Sequence, residues 1–403
     1  MRILTFTNLY PNNVQENHGL FVEHRLVNFL KNQAEFQAKV VAPVPWIPTC
    51  LGKIGKYGKY ASIRRHDERR GIEVIYPRFP VIPKIGMTIA PLLLAGFCRQ
   101  ALGKVIASGW DFDLIDAHYF YPDGVAAVML GRQLQKPVVI TGRGSDINVL
   151  PNFLLPRKQI DWAARNCSGI ITVCDALRGS LIGFGIEPSK IRTLRNGVDL
   201  EVFRPVDKLQ ARRKLGLEPD KILLLSVGHL VENKGHHLII DALAKLKSHA
   251  TLLIVGEGSL HNALVKRAEE KRMSGRVRFC GSLRQSELPV YYNAADMLVL
   301  ASKSEGMANV ILESFACGTP VVATDVSGTP EILIHGATGQ LVQHRTANDI
   351  ASGIEMLLAN RPIPSEVRRH AEQFSWEATN AGQAEMFREA VSTYRGISEV
   401  SQN

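Results

Sequence analysis

The feature that most constrains this 403-residue chain is an alternation that runs its length and restarts once near the middle. Short apolar, β-branched runs are separated by longer stretches with helical spacing. A strand, a crossover helix and a second parallel strand bury both faces of a sheet, so such a pattern predicts an α/β protein with doubly wound parallel sheets. In the first half, strands are expected at 2–6, 38–42, 73–76, 114–117, 137–140, 169–173 and 191–194. The second half begins again with K-I-L-L-L-S-V-G at 221–228 and continues with T-L-L-I-V-G, V-R-F-C-G, D-M-L-V-L and P-V-V-A-T. Two sheets imply two domains, 1–197 and 198–374, joined at R-N-G-V-D-L-E-V-F-R-P (195–205), where an Asn-Gly turn precedes a Pro. The final segment, 375–403, carries apolar residues on one helical face and is expected to pack back on the first domain. Ligands of open sheets bind beyond the carboxyl ends of the strands, so two such sheets facing across a cleft would close on a ligand between them.

Apolar residues make up 45% of the chain and charged ones 21%, enough for a core in each half and incompatible with disorder. A formal charge of +10 points to an anionic partner: nucleic acid, a phospholipid surface or a phosphorylated substrate. No recognised nucleic-acid motif accompanies it. The six cysteines are scattered without C-x-x-C spacing, which suggests neither a disulfide framework nor a structural metal. The opening M-R-I-L-T-F-T reads as a strand and not as a signal peptide, so a cytoplasmic location is expected. Residues 81–98 are apolar but interrupted by Pro83, Lys84, Gly86 and Pro91, which predicts a loop leading into an amphipathic helix in place of a membrane span. The tract Lys53, Lys56, Lys59, Arg64, Arg65, Arg69 and Arg70 suits an anionic leaflet or a lipid diphosphate as well as it suits a solvated loop.

The most informative segment is S-E-G-M-A-N-V-I-L-E-S-F-A-C-G-T-P-V-V-A-T, 304–324. Gly306 places Glu305 in a turn, a helix should begin near Ala308, and Glu313 then falls more than a turn along it. That spacing suits a ligand with two polyhydroxy ends joined by a diphosphate. Glu305 would accept from sugar hydroxyls and Glu313 from a ribose, while the N–H groups of Met307, Ala308, Asn309 and Val310 meet the diphosphate at the positive end of the helix. Taken singly, Glu305 reads equally as a cap or loop residue and Glu313 as a solvated one.

The whole string, E-x7-E followed by A-C-G-T-P-V-V-A-T, resembles glycosyltransferase family 4, a retaining family of GT-B architecture, and the resemblance extends over essentially the whole chain. It implies two Rossmann-like domains and a nucleotide-sugar donor. In S-V-G-H-L-V-E-N-K-G-H-H (226–237), Lys234 matches the family's diphosphate-binding Lys, whereas His229 stands where the family usually has Arg. Either His229 is protonated beside the phosphates, or Lys234 and backbone groups suffice. V-G-E-G-S-L, with Glu257, and F-C-G-S-L resemble loops that approach the nucleotide. In T-N-L-Y-P-N-N-V-Q-E-N-H-G (7–19), Gly19 matches a glycine set against the donor diphosphate, and His18 is a candidate acceptor contact or a solvated loop residue.

His118, in I-D-A-H-Y-F-Y-P-D-G, matches a His whose backbone or ring contacts the transferred sugar. Arg143 and Asp146, in T-G-R-G-S-D-I-N, are candidate acceptor contacts, with Arg143 also readable as a phosphate contact and Asp146 equally readable as a helix N-cap. Asn196 resembles a hinge residue or is simply part of a turn, and the D-x-D of W-D-F-D is read as a turn before a buried strand. Glu305, Lys234 and His118 are thus the implied catalytic group, with no metal or cofactor expected. H-G-L-F-V-E-H-R, A-H-Y-F-Y-P-D-G and T-G-R-G-S-D-I-N are most similar to bacterial teichuronic-acid and exopolysaccharide assembly enzymes, which implies a UDP-sugar donor, a lipid-linked glycan acceptor and a place on the inner face of the cytoplasmic membrane. A sugar-nucleotide epimerase of the same fold and a non-enzymatic binder of anionic ligands are the alternatives.

Overall fold

The apolar runs become strands of two separate sheets. The computed structural model describes residues 1–46, 57–81 and 86–400, and the chain divides into one unit of Met1–Arg195 with Glu377–Asn403 and another of Asn196–Trp376. In the first unit the strands are β1 (Arg2–Phe6), β2 (Gln37–Val41), β3 (Val44–Trp46), β4 (His66–Arg69), β5 (Ile72–Ile75), β6 (Arg78–Pro80), β7 (Leu114–His118), β8 (Val138–Gly142), β9 (Gly169–Thr172) and β10 (Ile191–Thr193). Eight of them form a sheet in the order β10-β9-β8-β7-β1-β2-β5-β4, parallel except for the β4–β5 pair, and β3 pairs separately with β6. The order reverses at β1, which sets Ile3 between Ala38 on one side and Leu114 on the other. The loops leaving β1 and β7 therefore depart on either side of a switch point, where open sheets hold ligands.

The second unit contains β11 (Ile222–Val227), β12 (Ala250–Val255), β13 (Val277–Phe279), β14 (Met297–Leu300), β15 (Val321–Thr324) and β16 (Gly339–Val342). They form a wholly parallel sheet in the order β13-β12-β11-β14-β15-β16, with its own reversal at β11. Its core joins Leu224, Leu252, Ile254 and Val299 of the sheet to Ile239, Ile240, Ile354 and Leu357 of the flanking helices.

The helix Trp376–Val400 is integral to the first unit. Its Phe387, Ala384 and Val391 are buried with Ile3, Phe29 and Leu114, and the Phe387 and Phe29 rings meet edge-on at 5.6 Å. Arg25, fully buried on the helix Leu20–Asn32, donates from Nε to Gln383 Oε1 at 2.8 Å and from a terminal nitrogen to the Leu194 carbonyl at 3.3 Å. Burial draws protons off guanidinium and lowers its affinity to about 10, still well above neutrality.

Three departures from the sequence reading have physical causes. Strands β3, β4, β6 and β16 are short or polar, and the H-D-E-R of β4 is an edge strand whose composition hides it. Second, the basic tract does not present all its charges freely. Arg69 and Arg70 lie 2.7 and 3.5 Å from the carboxylate of Glu23, which is buried, so they neutralise a core charge. Lys53 and Lys56 lie outside the described residues. Third, Gly86–Ala107 is one helix of 22 residues that continues through Pro91. A proline there gives up a single backbone bond near the helix start, where the loss is most easily borne. Over Thr88–Ala107 its mean hydropathy is 1.4, long and apolar enough to cross a membrane, yet Leu94, Ala95, Cys98, Leu102 and Val105 are buried within the unit.

If the last helix completes the first unit's core, Phe387→Ala should lower that unit's stability by about 3 to 5 kcal/mol, the cost of truncating a buried Phe. Urea unfolding followed by near-ultraviolet circular dichroism measures this. A loss below about 1 kcal/mol would mean the helix is docked loosely.

Candidate active site

The candidate residues fall into two groups, one in each unit. In the second unit they gather at the carboxyl ends of β11 and β14, the strands flanking the reversal. The chain leaves β11 through Gly228 and turns at Glu232–Lys234 before the helix His236–Leu243. Gly235 closes that turn at φ 69°, and a Cβ there would stand 2.1 Å from the Ala301 carbonyl oxygen. Only glycine permits so close an approach with that backbone geometry. The contact brings the β11 loop against the end of β14, and Arg345 fastens it by donating to the carbonyls of Ala301 at 2.7 Å and Glu232 at 2.8 Å.

Lys234 and Glu305 meet as a result. Lys234 Nζ donates to Glu305 Oε1 at 2.6 Å, and Ser302 Oγ donates to the same oxygen at 2.6 Å. Asn233 holds the loop from the other side, donating to the Ser304 carbonyl and accepting from the Lys303 N–H. A Cβ at Gly228 would be in ordinary contact with the Lys234 stem, 3.6 Å from its Cδ.

The helix Asn309–Ala316 starts beyond Ala308, and its first N–H groups have no partners within the helix by geometry. Met307 and Ala308 are buried, Asn309 and Val310 half-buried. Asn196 is more than a turn residue: its side-chain amide donates to Asn309 Oδ1 at 2.9 Å and its N–H to the Met307 sulfur at 3.3 Å. Glu313 is partly buried and accepts from Tyr292 Oη at 2.8 Å. Burial pushes its carboxyl up to about 7, against the opposing hydrogen bonds from Tyr292 and Gln285.

His229 and Glu257 are both exposed in neighbouring loops. Those loops are packed on each other: the Leu230 N–H donates to the Glu257 carbonyl, and a Cβ on Gly256 would strike the Gly228 carbonyl. The glycine of V-G-E-G thus has a packing reason of its own.

In the first unit, His118 ends β7, Arg143 follows β8, and both come together. An arginine can only donate, so Arg143 donates to His118 Nδ1 at 2.6 Å, which leaves the proton on Nε2 to be donated to Asp116 Oδ2 at 3.0 Å. Burial, and then the Arg143 charge, lower the affinity of the imidazole for a second proton, so the ring is neutral with both nitrogens occupied. Arg143 itself is pushed down to about 9 by burial and the nearby Arg25, and its guanidinium lies 5.3 Å from the centre of the Phe21 ring.

Asp146 does not reach outward as an acceptor contact would. It is fully buried and accepts from the N–H groups of Phe120, Arg143 and Gly144, so its carboxylate shapes the loop. Asp123 does likewise for the loop 7–19, accepting from the Asn8 N–H at 2.8 Å and Thr7 Oγ1 at 3.3 Å. His18 Nε2 donates to the Asn8 carbonyl at 3.1 Å. Gly19 caps the helix Leu20–Asn32 at φ 70°, where a Cβ would lie 2.2 Å from the Leu9 carbonyl carbon.

Sequence reasoning missed Ser302, Tyr292, Arg345, Asp116 and Asp123. Asp116 and Asp123 stood inside a motif already singled out, beside His118. Ser302 had a signal in its position three residues before Glu305, whereas Arg345 and Tyr292 reach the site only through tertiary folding.

Residues 57–202 match glycosyltransferase family 4, and residues 207–374 match glycosyl transferases group 1. The chain is 33% identical over 235 residues to the D-inositol 3-phosphate glycosyltransferase of Mycobacterium tuberculosis, an alignment that covers 56% of this chain and 49% of that protein. It therefore spans about half the length of the curated relatives it matches. Among solved structures, sucrose-phosphate synthase from Thermosynechococcus elongatus superposes with a TM-score of 0.77 at 20% identity, covering 97% of this chain and 99% of the other. Anabaena HepE in complex with UDP-glucose gives 0.73 at 22% identity, covering 96% and 99%. Two consecutive family matches and a fold shared along the chain lead to one conclusion: the chain has the GT-B fold and is similar to glycosyltransferases of family 4 over 57–202 and of group 1 over 207–374.

Proposed function

We propose that the chain transfers a sugar from a nucleoside diphosphate, UDP-glucose being the first donor to test, to a hydroxyl of a lipid-linked glycan, with retention at the anomeric carbon. The observation that carries this reading is the Lys234–Glu305 pair, brought together by the Gly235 turn in the loop that leads into the Asn309–Ala316 helix. A cation and a carboxylate fixed beside a helix N-terminus can serve a substrate that has a diphosphate next to a polyhydroxy ring. Sugar donors of this chemistry are named for the relatives: HepE was solved with UDP-glucose.

In the reaction, the bond from the anomeric carbon to the donor phosphate breaks and a bond to the acceptor oxygen forms on the same face. The acceptor proton passes to the departing phosphate oxygen, leaving a nucleoside diphosphate and a glycoside. Lys234 and the first N–H groups of the helix stabilise the charge that grows on the phosphate. Glu305 orients Lys234 and accepts from the sugar hydroxyls, and Glu313 accepts from the ribose. We assign the positive charge facing the diphosphate to Lys234 and give no metal a role. The neutral, doubly hydrogen-bonded His118 ring is not available as a base, so we give it no part in proton transfer.

Incubating the full chain with UDP-glucose and a lipid extract from a bacterial envelope should yield UDP and a glucosylated lipid, with the anomeric configuration read by NMR. An isomerised nucleotide sugar formed without acceptor would instead mark an epimerase. Glu305→Gln should lower turnover by about a hundredfold or more while the melting temperature holds, as removal of one electrostatic partner commonly does. Turnover at the wild-type rate in a folded Glu305→Gln protein would remove the residue from the mechanism.

Glu313 gives a pH dependence with a definite sign. Burial pushes its carboxyl up to about 7 in the free protein, and the ribose hydroxyls assigned to it would donate to the ionised form. Binding must therefore expel a proton below that pH, so UDP-glucose affinity should weaken by about tenfold for each unit below about 7 and level off above it. Calorimetry across this range measures the slope, and the donor diphosphate does not itself titrate there. An equal slope in Glu313→Gln would show that another group is responsible.

A further inference from the structure

One surface of the first unit is left outside the reaction just described. Apart from Trp46, every large apolar side chain that stands in solvent among the described residues of this unit lies on one of two segments. Leu92 and Phe97 project from the helix Gly86–Ala107, while Val149, Phe153, Leu154 and Leu155 lie on or just before the helix Leu154–Asn166. The two helices adjoin, with Gln159 Nε2 donating to the Thr88 carbonyl at 3.2 Å. Leu154 is 80% exposed, an extreme value for a leucine that a neighbouring element could have covered.

Apart from Asp161, which is paired with Arg165, the charges around these side chains are positive. No Asp or Glu occurs between Glu73 and Asp111, nor between Asp146 and Asp161. Within those stretches Arg99 and Lys104 lie exposed on the first helix, a few turns beyond Leu92, and Arg157 and Lys158 lie exposed beyond Leu155 on the second. Each helix thus passes from exposed apolar residues to exposed cations. Beside Leu154 a hollow of about 420 Å³ is lined by Ile160, Phe184, Arg157 and Lys158 together with Asp161, whose carboxylate is paired with Arg165 at 3.0 Å, so the lining keeps a net positive charge; the Arg157 guanidinium lies 4.9 Å from the centre of the Phe184 ring.

We infer that this face docks on an anionic bilayer, with Leu92, Phe97, Leu154 and Leu155 entering the acyl boundary and Arg99, Lys104, Arg157 and Lys158 meeting phosphate headgroups. Amphipathic faces bind membranes by this combination of buried apolar area and cationic attraction. The Gly86–Ala107 helix lies along the surface and does not cross it, because Leu94, Cys98, Leu102 and Val105 keep its other face in the core. The hollow beside Arg157 offers a place for one headgroup. This inference does not depend on the reaction proposed above.

The test is flotation of the full chain with vesicles of phosphatidylcholine, with and without phosphatidylglycerol. Binding is expected only with the anionic lipid. The double variant Leu154→Glu, Leu155→Glu should lose at least about tenfold in partitioning, as the burial of a leucine predicts. Arg157→Gln should lose about fivefold, the contribution of one charge near an anionic surface. Calorimetry with UDP-glucose on the same proteins separates the two readings, since these residues stand outside the donor site. Unchanged partitioning in the Leu variants, or absence of vesicle binding by the parent chain, would overturn the inference. So would a dimer in sedimentation velocity that Leu154→Glu dissolves, because the face would then belong to a second copy of the chain.

Discussion

The contact between Gly235 and the Ala301 carbonyl governs the second unit's site. Strand ends in an open sheet normally diverge, and side chains on adjacent loops reach each other only if the backbones are drawn together. Here a left-handed glycine without a Cβ lets the β11 loop lie on the end of β14, and Arg345 bonds to both sides of the join. Lys234 and Glu305 are neighbours because of that approach. Their pairing is weak evidence for stability, since removing two charges from water offsets most of their attraction. What it provides is order: a lysine with four rotatable carbons is held in one place before any ligand arrives, so less freedom remains to be lost on binding.

The first unit uses buried carboxyl groups in another way. Asp123 and Asp146 have no cationic side chain as hydrogen-bond partner in the contacts described, yet both sit in the core beneath loops and accept backbone N–H groups. Each carboxylate does for a loop what a strand does for its neighbour, satisfying donors that would otherwise face apolar surroundings. Burial raises the proton affinity of both groups, and pushes Asp123 up to about 8. The Asp116–His118–Arg143 chain follows the same logic, with a donor on one side of the ring and an acceptor on the other fixing one tautomer.

The sheets were readable in the sequence because parallel strands covered on both faces are continuous apolar runs, as in L-L-L-S-V of β11 and V-V-A-T of β15. Edge strands carry no such mark, and H-D-E-R in β4 looks like a solvated loop until Arg69 is seen against Glu23. Pro91 and Gly86 suggested a break, but a helix with an apolar face to bury can run through a proline near its start. At the site, Glu305 and Lys234 were readable from loops after strands. Their dependence on Ser302 and Arg345 was not, because residues distant along the chain leave no local pattern. Asp146 shows the opposite error, a polar residue in a promising motif whose hydrogen bonds all turn inward.

The placement of the last helix has a consequence for how the protein comes into being. The second unit is one uninterrupted stretch, Asn196–Trp376, and all six of its strands have been made before the chain moves on. The first unit begins earlier but lacks Phe387, Ala384 and Gln383 until synthesis has passed them, and without them Ile3, Phe29 and the buried Arg25 lose part of their cover. Domains fold as units while the ribosome works from the amino terminus. On this chain the half that is translated first is therefore the half that finishes last, and its unfinished apolar face must be shielded through the synthesis of the whole second unit.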